Sequence, residues 1–132
     1  MRYLIDTHVC LWAISDSDKL SNNVAEILSN PNNEIYISKI SLFEIVIKIR
    51  VGKLPDFKVT IPELIKSILE TGFKLLPIET DHFASYALFE FSDQHRDPFD
   101  RLILATAKFE ELNLITKDEK LNLYNKTVNI IW

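Results

Sequence analysis

Asp97–Asp118 reads DPFDRLILATAKFEELNLITKD, and one helix followed by one strand accounts for all of it. Proline suits the first turn of a helix, where its missing N–H would have had no partner. Asp97 before it has the side chain of an N-cap. Leu102-Ile103-Leu104-Ala105 continues an apolar helix that ends near Glu111. Leu114-Ile115-Thr116 is then short and apolar, as a buried strand is, and Asp118 stands just past it.

The same alternation extends outward in both directions. Arg2 to Asp6 reads as a buried strand with a polar end, followed by a short helical segment through Cys10-Leu11-Trp12. Ser21 is the N-cap expected for a helix with Val24, Ile27 and Leu28 on one face. Asn30 to Asn33 is a turn, and Ile35-Tyr36-Ile37 a strand. Ser38 or Ser41 caps a long apolar helix that Gly52 ends. A further helix begins at Ile61-Pro62-Glu63 and stops at Gly72, a strand covers Phe73 to Ile78, and Thr80 caps a helix to about Phe91. Ser92 to Arg96 is a polar loop, and Val128 to Ile131 the last strand. The expectation is an α/β fold: a three-layer α/β/α domain with a mainly parallel sheet of about five strands, one domain over residues 1–132.

Composition narrows the function classes. Hydrophobic residues make up 47% of the 132, enough for a proper core. Only two glycines occur, so a glycine-rich phosphate loop is absent. The single Cys10 cannot form an internal disulfide, which fits a reducing cytoplasm. No signal peptide is visible, and no stretch approaches the roughly 20 apolar residues of a membrane span. A net charge of −4 argues against a broad basic coat for nucleic acid, yet an acidic metal site lowers net charge too.

Four acids adjoin hydrophobic segments: Asp6 after Tyr3-Leu4-Ile5, Glu44 between Phe43 and Ile45, Asp100 before Leu102, and Asp118 after Leu114-Ile115-Thr116. Charges beside core-forming segments need compensation. In an open α/β sheet, residues beyond the carboxyl ends of the strands and in the first turns of the following helices share one crevice. Converging there, the four acids would repel one another and call for a cation. Oxygen-only ligation suits Mg²⁺ or Mn²⁺, and so metal-assisted phosphodiester chemistry.

Each acid also has a structural reading. Asp6 can end its strand and cap the helical segment after it, Glu44 can complete a capping box with Ser41, and Asp118 can cap the short helix from Glu119. Asp97 has a sufficient role as the N-cap, which leaves Asp100 as the ligand candidate of that pair. His8, His82 and His95 form no zinc-like set with Cys10. His95 and Arg96 read as a solvated loop, with phosphate contact as the alternative. Arg101 either binds phosphate or steadies carboxylates. Thr7 and Thr116 either position a ligand or a metal-bound water, or form turns. Trp12, Phe43 and Trp132 read as core or interface residues rather than base-stacking platforms.

In four blocks the chain resembles a PIN-domain ribonuclease, and within that family a VapC-type toxin of a toxin–antitoxin pair. The blocks are Leu4-Ile5-Asp6-Thr7-His8-Val9 with Leu11-Trp12; Ile37-Ser38 with Ser41-Leu42-Phe43-Glu44-Ile45; His95 through Ile103; and Leu114 through Glu119. The family's acidic set falls on Asp6, Glu44, Asp100 and Asp118. The resemblance implies an RNA substrate, Mg²⁺ or Mn²⁺ as cofactor, a homodimer, and inhibition by a small cognate antitoxin that itself contacts DNA. Leu42 to Ile49 together with Trp12 either offer an apolar groove for a helix of that antitoxin or belong to the core. No membrane association is implied. Two other classes remain open on the residues alone. One is a metal-dependent phosphohydrolase acting on a small phosphate ester, the other a non-catalytic binding domain.

Overall fold

Strand β1 (Arg2–Ile5) is the centre of a five-stranded sheet in a computed structural model that describes all of residues 1–132. Its neighbours are β2 (Glu34–Ser38) on one side and β4 (Asn113–Ile115) on the other. β3 (Lys74–Leu76) lies outside β2 and β5 (Ile130–Ile131) outside β4, giving the order β3-β2-β1-β4-β5 with every pair parallel. Register is set by side-chain alternation. Tyr3 and Ile5 enter one apolar cluster with Ile35, Ile37, Ile45, Leu64 and Ile68, while Leu4 enters a second with Ile103, Leu104, Leu114 and Leu121. A parallel sheet covered on both faces is therefore the core, in agreement with the α/β expectation.

Helices α1 (Thr7–Ser15), α2 (Asn22–Ser29), α3 (Lys39–Arg50) and α4 (Ile61–Glu70) contribute to the first cluster. α6 (Pro98–Phe109) covers the other face, and α5 (Thr80–Leu88) packs along α6. His82, fully buried on α5, accepts a hydrogen bond at Nδ1 from the Glu79 N–H and meets Glu110 at Nε2, 2.8 Å away. Two 3-10 segments, Ser17–Lys19 and Glu119–Tyr124, complete the chain. No helix is long and apolar enough to cross a membrane.

Caps place most boundaries where the sequence puts them. The Ser21 hydroxyl accepts from Val24 N–H, Asp97 from Phe99 and Asp100 N–H, and Thr60 forms a capping box with Glu63. Ser38 rather than Ser41 caps α3. Other boundaries differ from expectation. α1 runs on to Ser15, past the Trp12 expected, and Asp6 caps it as its structural reading allows. The α5 cap is Glu79, paired with His82, and Thr80 is the first helical residue. α5 also stops at Leu88, because Phe89 turns extended and stacks on Phe91 with ring centres 4.5 Å apart. β3 and β5 are shorter than expected.

Candidate functional site

The carboxyl ends of β1 and β4 lie side by side where the strand order reverses, which is where open α/β sheets bind ligands. Asp6 stands at that point, nearly fully buried. Its N–H donates to Ile115 O. Its Oδ1 accepts from the Thr7 N–H at 2.7 Å, and its Oδ2 accepts from the Thr116 hydroxyl at 2.8 Å. Thr116 Oγ1 in turn accepts from the Asp118 N–H, so β4 and β1 are tied at the crevice by one hydroxyl. Burial raises the Asp6 carboxyl above its ordinary range, against the opposing effect of the neighbouring His8. The Lys117 N–H donates to His8 Nε2, which leaves the ring proton on Nδ1, 3.5 Å from Asp6 Oδ2.

Glu44 reaches the same region from the middle of α3. The Thr7 hydroxyl donates to Glu44 Oε1 at 2.8 Å and stands 2.9 Å from Ser41 Oγ. Lys48, one turn further along α3, puts its ammonium 3.0 Å from Glu44 Oε2. Glu44 is half-buried, as its apolar neighbours predict, and it makes no capping box with Ser41. Asp118 does cap its 3-10 segment, accepting from the Lys120 N–H, so the structural reading of that acid is realised.

Asp100 lies in the first turn of α6 with its side chain 20% exposed. Its carboxyl is pushed up to about 7, first by burial and then by repulsion from Asp6, Asp97, Glu44 and Asp118. All the sequence-predicted acids thus act on Asp100. They are not drawn into a closed cage, however: no three His, Cys, Asp or Glu side chains gather tightly enough to enclose an ion by themselves. The hydroxyls of Thr7 and Thr116, the ammonium of Lys48 and the ring of His95 hold the carboxylates at stations around an open crevice.

Several expectations change. His95 is buried, not a solvated loop residue: it lies between Asp100 and Tyr124. Arg96 is exposed as expected and bonds only the Asp93 carbonyl. Arg101 pairs with no carboxylate. Its guanidinium donates to the His95 and Ser92 carbonyls and lies over the Phe91 ring, so it clamps the loop to α6. Phe43 is exposed, so of the core and interface readings only the interface one is left to it. Trp12 and Trp132 are half-buried against each other, with the Lys117 ammonium over both rings. Lys48 was readable from its i+4 spacing to Glu44, whereas Tyr124 gave no local signal.

The PIN-domain family model matches residues 3–126. No curated protein matches the chain. Among solved structures, the chain is similar to VapBC2 from Rickettsia felis bound to a promoter DNA fragment, at TM-score 0.65 and 20% identity over 99% of this chain and 98% of that one. DNA-bound VapBC from Salmonella typhimurium superposes at TM-score 0.66 and 19% identity over 99% and 97%. VapBC-1 from nontypeable Haemophilus influenzae superposes at 0.65 and 19% over the same shares. With the fold matched along its length and the family model covering all but the two ends, the chain belongs to the PIN-domain family.

Proposed function

We propose that the protein is a metal-dependent endoribonuclease, the VapC-type toxin of a toxin–antitoxin pair, acting in the cytoplasm. The observation that supports this reading best is the raised Asp100 carboxyl at the focus of four other acids. Such a field is costly in the free protein and is relieved by a cation. The donor set, carboxylate oxygens with no thiolate or imidazole cage, fits Mg²⁺ or Mn²⁺. Mg²⁺ in particular keeps several waters and needs only one or two protein carboxylates, so the open arrangement is compatible with it.

Asp6 and Asp100 would hold the ion, with Glu44 beside them and Asp118 completing the site at its rim. When bound, the ion supplies Lewis acidity and an activated water. The chain's own part is to place charge. Thr116 and the Thr7 N–H aim Asp6, Thr7 and Lys48 aim Glu44, and the α6 N-terminus favours the negative charge of Asp100.

A small antitoxin would restrain the enzyme by pairing Arg or Lys with these carboxylates. Of Leu42 to Ile49, Ile45 is buried and Leu42 and Ile49 pack on the core, while the exposed Phe43 lines an apolar groove with Phe83 and Phe99. The groove beside Trp12 is mixed: Leu11, Leu54 and Phe57 share it with Asp16, Lys19, Lys53 and Asp56. Two copies of the chain would pair through the apolar face of α3, α5 and α6, where Phe43 and Phe83 are exposed.

Incubating the partner-free protein with an RNA pool tests the reading. Cleavage is expected with Mg²⁺ or Mn²⁺ and not with excess EDTA. Cleavage undiminished by the chelator would replace it with a metal-free mechanism. Hydrolysis confined to small phosphate esters, or no hydrolysis at all, would point to the other two classes.

A further inference from the structure

Tyr124 and His95 form a hydrogen-bonded chain that ends on Asp100, and its direction can be worked out atom by atom. The Ser92 N–H donates to Tyr124 Oη at 3.1 Å. Tyr124 Oη lies 3.2 Å from His95 Nδ1, and His95 Nε2 lies 3.3 Å from Asp100 Oδ2. With Asp100 ionised, as at pH 8, Nε2 must donate to it, and the phenol, which accepts from Ser92, gives its own proton to Nδ1. A neutral imidazole carries a single N–H. With Nδ1 accepting, that N–H sits on Nε2 and points at the carboxylate.

We propose that His95 is a positioning residue for Asp100, held by Tyr124 in the neutral tautomer that carries its proton on Nε2. The setting is built for this: both rings are buried, and Arg101 fastens the His95 and Ser92 carbonyls from the residue next to Asp100. Tyr124 is further fixed edge-on against the stacked pair of Phe89 and Phe91 rings. One oxygen of Asp100 is thereby engaged and the other is left for the crevice. This inference deepens the metallonuclease reading and rests on it. The contact partners of a ligand carboxylate set its aim and, with it, metal affinity.

Ring ¹⁵N shifts of the full-length, metal-free protein at pH 8 read the tautomer without any substitution. Wild type is expected to show His95 protonated at Nε2 and bare at Nδ1, and Tyr124→Phe a mixture of tautomers. A wild-type ring protonated at Nδ1 would overturn the proposal. Calorimetric titration with Mn²⁺, in the absence of RNA, gives a second readout. His95→Leu is expected to bind about tenfold more weakly. His95→Gln, whose amide N–H takes the place of Nε2–H, should regain most of that loss. Unchanged affinity in a folded His95→Leu variant would also overturn it. Should that variant fail to fold, wild-type affinity in Tyr124→Phe together with a single Nε2–H tautomer would refute the role of Tyr124. A wild-type protein that binds no Mn²⁺ would instead sink the metallonuclease reading, and the ¹⁵N result would still decide the tautomer.

Discussion

At Asp100 burial and repulsion act in the same direction, and both favour the proton. The consequence for stability has a definite sign. Between 3.8 and about 7 the folded protein keeps a proton that the unfolded chain has released. By linkage, this group's contribution to stability is present at acid pH and is lost as pH rises towards 7. Asp100→Asn removes that dependence along with the charge. The metal-free variant should therefore melt progressively higher than wild type as pH rises from about 4 to about 7, while RNA cleavage is abolished. A correctly folded variant that cleaves like wild type would show that the site is misassigned. Asp97→Asn should be far milder, since asparagine is also a good N-cap. Its one clear effect should be an acid limb of the activity profile moved to lower pH, because a charge that raises Asp100 has gone. Activity lost equally in both variants at matched stability would put Asp97 among the ligands. These acids were legible because each adjoins an apolar run, and Lys48, Thr7 and Thr116 because each stands near one of them in sequence; which atoms they would meet was not. Tyr124 meets His95 across 29 positions and Thr116 meets Asp6 across 110, and no local pattern records such contacts.

Among the elements, cap chemistry was the readable layer. Side chains at Ser21, Ser38 and Asp97 satisfy N-terminal N–H groups as their residue types predict. The start of α5 departs from that pattern. Glu79 takes the cap there because His82 answers it from inside the core, and that reciprocal bond depends on Glu110 just past the end of α6. Gly72, after α4, adopts φ of 88°, which side chains with a Cβ avoid. A Cβ there meets nothing within 4 Å, so substitution is penalised by backbone conformation alone. Gly72→Ala should destabilise by about 1 kcal/mol in a denaturant melt and leave cleavage unchanged. A neutral result would mean that the turn relaxes out of the left-handed region.

Over the whole molecule, the order of helices and strands gave the α/β class from sequence, because a buried parallel strand and an amphipathic helix have different periods. Which strands neighbour one another was not legible. Packing between residues far apart in the chain decides it, as where Leu4 meets Leu114. Control of the proposed activity belongs to this scale as well. Co-expression with the neighbouring reading frame should yield a small protein that co-purifies and suppresses cleavage. A neighbour that neither binds nor inhibits would remove the toxin assignment and leave the nuclease assignment standing.

The central strand is made first, yet one of its two partners is made late. Asp6 acquires the Thr116 hydroxyl, and β1 its β4 edge, only when the chain has grown past residue 115. Until α6 and β4 have emerged, a growing polypeptide holds Asp6 and Glu44 without Asp100, Asp118 or the strand that seats them. Under the proposed function, emergence from the ribosome is thus also a delay: an unfinished copy lacks half of the acids proposed to cut, and the proposed inhibitor has that interval in which to fold.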